Sequence, residues 1–153
     1  MNTDDIEILT EWTEADVQDI LARQFDAIAL AERETTAVPH GVRTGQVYIV
    51  SRVPRPLGRP HQALPVLVVQ NDTLNALEPT TMVVRLTTQP PARWRDYSVP
   101  LPGTETGLRK NTVALCHQIL TIPQTDCERL MGTIGPPSIR KVAEMLRWCL
   151  GIP

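Results

Sequence analysis

Three groups of side chains in this 153-residue chain are suited to holding phosphate. Arg55, Arg59 and His61 lie in a stretch punctuated by Pro54, Pro56, Gly58 and Pro60, which reads as a stiffened basic loop. Arg85, Thr87 and Gln89 recur at two-residue spacing within Thr81–Gln89 (TMVVRLTTQ). In a strand that spacing places them on one face, while Val84 and Leu86 point the other way into a core. Arg93 and Arg95 flank Trp94. A guanidinium keeps its charge and grips phosphate oxygens bidentately. Loop contacts of this kind supply affinity and positioning but little choice of sequence. Trp94 offers a face on which a base can stack, and His61 carries an imidazole, the side chain suited to shuttling a proton near neutral pH. Each has a plainer alternative: a solvated strand arginine, packing of Trp94 in a core or interface, and a solvent-exposed loop histidine.

Other chemistries find less support. His40, His61 and His117 are scattered, and Cys116, Cys127 and Cys149 are odd in number with no C-x-x-C spacing. They suggest neither a zinc site nor a disulfide framework, so we expect no metal, no cofactor and buried reduced thiols. No apolar run approaches the length of a membrane span, and the opening Met1–Asp5 is acidic rather than signal-like. The expectation is a cytoplasmic protein with no membrane partner. Net charge is only −2, yet residues 1–34 carry −8 and the remainder +6. That asymmetry points to a polyanion-binding body with an acidic attachment, or else to two differently solvated surfaces.

The elements that must position these groups divide into two parts, 1–44 and 45–153. In the first, Thr13 is a candidate N-cap, and Val17, Ile20, Leu21, Phe25 and Ile28 form one apolar helical stripe fading near Glu34. Residues 35–44 read as a linker. In the second, strands are expected over Gln46–Arg52, Pro65–Gln70, Thr81–Gln89, Trp94–Leu101 and Asn111–Ile122, with Asn71–Pro79 a polar connector and Gly103–Gly107 a turn region. Ser138 is expected to cap a closing helix whose Ile139, Val142, Leu146 and Cys149 share a face, with Gly151 as its stop. Short strands between Pro/Gly loops favour a mainly β, barrel-like core with peripheral α-helices.

The order of motifs over residues 45–151 resembles the MazF/PemK (Kid) family of type II toxin–antitoxin endoribonucleases. The resemblance is carried by Gly45-Gln46-Val47-Tyr48, by Pro65–Asp72 (PVLVVQND), by Leu86-Thr87-Thr88-Gln89, by Gly107–Val113 (GLRKNTV) and by Gln118–Ile122 (QILTI). It implies an SH3-like barrel (CcdB/PemK-like), here with an N-terminal helical extension, and a homodimer. It implies a bacterial mRNA interferase that cuts single-stranded RNA without metal. It further implies a cognate antitoxin whose acidic tail lies in the RNA groove, which the loop before Pro65 borders.

The resemblance also implies a site. RNA cleavage without metal requires activation of the 2′-hydroxyl, stabilisation of the phosphorane and help for the leaving 5′-oxygen. The family pairs a threonine near the end of the third strand, matched by Thr87, with an arginine just before the proline of the second strand. That arginine is missing: Leu64 stands there. If the second and third strands pair as an antiparallel hairpin, Arg85 can reach the same phosphate. The catalytic candidates are therefore Thr87 and Arg85, with Arg55, Arg59, His61, Gln89, Arg93, Trp94 and Arg95 as RNA contacts. Leu64 keeps a second reading open, a catalytically lapsed member acting as an RNA- or protein-binding regulatory module.

Overall fold

A computed structural model of the chain describes residues 22–23, 41–53 and 62–153. Apart from Ala22 and Arg23, which are helical, the acidic N-terminal stretch lies outside the described residues, as do most of the linker and the loop carrying Arg55, Arg59 and His61. The body consists of β1 (Gln46–Val53), β2 (Gln62–Val68), α1 (Asp72–Leu77), β3 (Thr80–Thr87), a 3-10 segment (Ala92–Tyr97) and β4 (Ser98–Leu101). After these come α2 (Gly103–Thr106), β5 (Thr112–Pro123), a short 3-10 turn (Gln124–Asp126), β6 (Arg129–Thr133) and α3 (Pro136–Cys149). The strands form one antiparallel sheet in the order β4-β5-β3-β2-β1-β6.

Both faces of this sheet are covered, which explains why several strands read as near-continuous apolar runs. Val47, Leu67, Val84 and Leu86 face one cluster, closed by Val142, Ile139, Leu146 and Cys149 of α3. Tyr48, Val50, Val66, Val68 and Val83 face a second, which also takes Val42 from the approach to β1. The sheet curls toward a barrel because α2, on the β4–β5 connection, packs against the far edge strand β6. The backbones meet so closely there that a Cβ at Gly107 would overlap the Met131 carbonyl, and one at Gly132 the Glu105 carbonyl. Gly107 also takes φ +71° as the C-cap of α2, a conformation open to glycine and strained for other residues.

Several sequence expectations need correction. Pro65 lies inside β2 rather than opening it. It is tolerated because the recorded β2–β3 pairs begin only at Val66. Trp94–Tyr97 are not strand but part of the 3-10 segment, set up by Pro90 and Pro91 just before it. The polar connector after β2 contains α1, which Asn71 caps by accepting from the Leu74 amide at 2.9 Å. The cap of α3 is Gly135 followed by two prolines, not Ser138. Ser138 instead donates to Glu105 at 2.7 Å, tying α3 to α2. β3 ends at Thr87, so Gln89 is not on the strand, and its amide donates back to Thr87 Oγ1 at 3.3 Å. Finally, β6 is an additional strand.

The Gln70-Asn71-Asp72 motif has a structural role here. Gln70 and Asn75 are buried and bond reciprocally at 3.0 Å, Thr81 donates to Asn75 Oδ1 at 2.7 Å, and Gln124 Nε2 donates to the Asn75 carbonyl at 2.8 Å. Asp72 accepts from the Thr44 amide at 2.7 Å, a bond that holds its carboxyl below the usual carboxylate range. The motif thereby fastens the entry to β1 onto the end of β2.

Candidate active site

The alternation of β3 positions the first candidates. Val84 and Leu86 are buried in the α3-facing cluster, whereas Arg85 and Thr87 are half-buried on the opposite face. Arg85 pairs with Val66 of β2 on one side and with Leu115 of β5 on the other, and Leu115 pairs with Ser98 of β4. Thr87 pairs with Val113. Continued by two residues, the β2–β3 register sets Leu64 level with Thr87, with Arg85 one pleat repeat further in. Leu64 is half-buried, pairs with Val50 and packs against the second cluster.

A second group assembles around β5. Arg93, Trp94 and Arg95 lie on the 3-10 segment, with Arg93 and Arg95 exposed and the Arg93 guanidinium 5.0 Å above the Trp94 ring. The Trp94 ring meets His117 at 5.0 Å, Tyr97 meets His117 edge-on at 4.8 Å, and Tyr97 lies 6.4 Å from Trp148 of α3 in near-parallel orientation. Desolvation by this packing, and then the Arg93 charge, push the His117 imidazole below its ordinary value. Gln89 is exposed in the turn between β3 and this segment.

The sequence marks His117 only as one of three scattered histidines and gives Tyr97 and Trp148 no role. The available signal was His117 itself, a polar residue inside the apolar run Val113–Ile122 (VALCHQILTI). The cysteines are poor nucleophiles: burial pushes Cys116 and Cys127 up to about 12 and also raises Cys149. Cys116 is buried, whereas Cys127 and Cys149 are only half-buried. Among the described residues no group of three His, Cys, Asp or Glu is placed to hold a metal, and no helix is long and apolar enough to cross a membrane.

A family profile for the PemK-like, MazF-like toxins of type II toxin–antitoxin systems matches residues 43–150. The chain belongs to this family. Solved structures place the MazF-like fold beyond the sequence motifs. An endoribonuclease from a mycobacterial species superposes with a TM-score of 0.61 at 22% identity, over 76% of this chain and 98% of that one. A mycobacterial endoribonuclease in complex with its cognate antitoxin gives 0.57 at 25% identity, over 73% and 95%. A MazE–MazF structure from Deinococcus radiodurans gives 0.60 at 15% identity, over 73% and 98%. No curated protein matches the sequence. Within this PemK-like body, Thr87 stands at the end of the third strand, and the position before the second-strand proline is an apolar side chain packed into the fold.

Proposed function

We propose that this chain is a metal-independent endoribonuclease acting on single-stranded RNA, the toxin of a toxin–antitoxin pair, with Arg85 and Thr87 at the scissile phosphate. The observation that carries the reading is the β2–β3 register, which puts Arg85 and Thr87 on one sheet face beside the position Leu64 occupies. From there the Arg85 guanidinium reaches the phosphate and neutralises charge gathering on the phosphorane, and the Thr87 hydroxyl donates to a non-bridging oxygen. Arg93, Arg95 and Gln89, with Arg55, Arg59 and His61 of the preceding loop, track the flanking phosphates, and Trp94 stacks a base. The antitoxin complex of the mycobacterial relative supports an antitoxin as partner. We take the acting unit to be a homodimer.

The apolar seat of Leu64 favours a second reading, a lapsed member that binds RNA or protein without cutting. Incubation of the purified protein with a long single-stranded RNA in excess EDTA separates the two. We expect discrete cleavage products ending in a 2′,3′-cyclic phosphate. Binding of the RNA with no cleavage would establish the lapsed reading.

We assign the acidic residues 1–34 a masking role in cis. Their charge of −8 faces +6 on the rest of the chain, and Val42, where the described body begins in earnest, is seated in the same cluster as Val66 and Leu64. Attraction is strongest over a basic face with low-dielectric walls. A tether of about ten residues gives an effective concentration of order millimolar, so weak contacts compete with RNA. A fragment starting at Val42 is then expected to bind single-stranded RNA about tenfold more tightly at low salt, the gain shrinking as salt rises. Equal affinity of a well-folded fragment and the full chain would rule masking out. An unstable or aggregating fragment would show instead that the stripe Val17–Ile28 completes the core or a dimer interface.

A further inference from the structure

Resting on the reading of this chain as a binder of single-stranded RNA, we propose that the groove between α3 and the edge strand β4 is a guanine subsite. Its helical side follows from the period of α3. Ile139, Val142, Leu146 and Cys149 turn into the core. Lys141 shares the neighbouring flank with Glu144, Met145 and Trp148, which follow it three, four and seven residues on. That flank faces β4, the end strand of the sheet, and the two border a groove of about 470 Å³. Sites for small molecules and single nucleotides fall in this size range.

The lining suits a planar base. Trp148, 66% exposed, makes one wall, and Val99, Pro100 and Met145 supply further apolar surface. Tyr97 lies near-parallel to Trp148 at 6.4 Å but does not line the groove, so it backs the indole. His117 in turn meets Tyr97 edge-on and Trp94 on another side, so a continuous series of rings steadies the wall. An indole face held in this way stacks any base. Choice among bases comes from Asp96, Glu144 and Lys141, which line the same groove. Among the described residues none of these three charges is taken up by an ion pair or a side-chain hydrogen bond. Ionised carboxylates only accept, and an ammonium only donates. Guanine matches that set, with N1–H and the 2-amino group as adjacent donors and O6 and N7 as acceptors. Adenine turns an unprotonated N1 toward the carboxylates, uracil offers one donor between two acceptors, and cytosine a lone amino group. A peptide strand added to β4 fits less well, because Pro100 is exposed on this edge and has no amide hydrogen to give. Asp96 also adjoins the exposed Arg95 on the segment that carries Arg93, so phosphates flanking the base meet guanidinium groups. A free guanine nucleotide presents the same base edge, but a strand has phosphates on both sides of the base and uses both arginines.

The test is the affinity of the full-length chain for 2′-O-methyl oligomers of uridine carrying one central guanine, adenine, cytosine or hypoxanthine, read by fluorescence anisotropy. A methylated 2′-oxygen cannot attack phosphorus, so binding is read without cleavage. The guanine oligomer should bind about 10–100-fold more tightly than the adenine one, with hypoxanthine, which lacks the 2-amino group, between them. Asp96→Ala combined with Glu144→Ala should remove most of that preference. Trp148→Ala should weaken guanine binding about tenfold, and Trp148→Phe should retain most of it. These side chains are exposed, so the variants should melt at the wild-type temperature. Equal affinity for the four oligomers, or a guanine preference that survives the double substitution, would overturn the proposal. Free GMP binding as tightly as the guanine oligomer would make the groove a free-nucleotide site and also overturn it. So would a dimer that Trp148→Ala splits with the guanine preference intact, since the groove would then be a subunit interface. Binding of no oligomer would remove the subsite together with the RNA reading. A chain that prefers guanine yet leaves unmethylated RNA uncut keeps the subsite and loses only the ribonuclease reading.

Discussion

Replacing Arg85 by alanine is expected to lower RNA cleavage by about 10²–10³. The expectation follows from the site's composition. Leu64 has no donor to offer a phosphate, and the β2–β3 register leaves Arg85 as the strand guanidinium on the face it shares with Thr87. A phosphorane held by one permanent cation loses most of its electrostatic stabilisation when that cation is removed. Since Arg85 is half-buried between Val66 and Leu115, alanine also removes packing. Arg85→Lys therefore accompanies it, keeping the charge and most of the stem while losing the bidentate fork, with an intermediate loss expected. Leu64→Arg should preserve or raise the rate, since it places a second guanidinium level with Thr87. Cleavage kinetics on one RNA, with thermal melting of each variant, read all three. An Arg85→Ala protein of unaltered fold that cuts at the wild-type rate would end the case for Arg85.

The largest expected change in stability lies away from that face. Asn75→Ala should lower the free energy of unfolding by about 2–4 kcal/mol. Asn75 is 1% exposed and lies at the centre of a buried polar network. Its side chain accepts from Gln70 Nε2 at 3.0 Å and from Thr81 Oγ1 at 2.7 Å, and donates to the Gln70 carbonyl at 3.0 Å. Alanine leaves the buried Thr81 hydroxyl without this acceptor, while Gln70 Nε2 keeps the Thr80 carbonyl at 2.9 Å and the Gln70 carbonyl keeps the Thr44 hydroxyl, and an unsatisfied buried polar group costs about 1–3 kcal/mol. Urea unfolding should show a lower midpoint with an unchanged m-value. Arg43→Ala is the useful contrast. Its contact with Asp72, 4.0 Å between two exposed side chains, should contribute almost nothing. A change in midpoint for Asn75→Ala no larger than for Arg43→Ala would show that the network is dispensable.

The two results divide along the line between local pattern and distant packing. Alternation in β3 placed Arg85 and Thr87 on one face and Val84 and Leu86 on the other, because a strand's period of two is written in consecutive residues. The α3-facing positions Ile139, Val142, Leu146 and Cys149 were legible for the same reason, with a helical period. The motifs across residues 45–151 likewise sufficed for the family. Chain ends of elements were less legible. The prolines before residue 92 turned an expected strand start into a 3-10 segment, and an exposed turn shortened β3 so that Gln89 left the shared face. β6 carries no clear alternation in Arg129–Thr133; it is a strand because β1 offers it an edge and because Gly132 lets α2 approach its backbone. The ring cluster was beyond the sequence altogether. Trp94 and Tyr97 come from one turn, His117 from an irregular stretch of β5 and Trp148 from the last helix, and the pairing of β4 with β5 and the packing of α3 on those strands bring them together. Local periodicity decides which way a side chain points from its own strand or helix, but which residues it meets depends on register, bulges and closure, set by contacts between segments far apart in the chain.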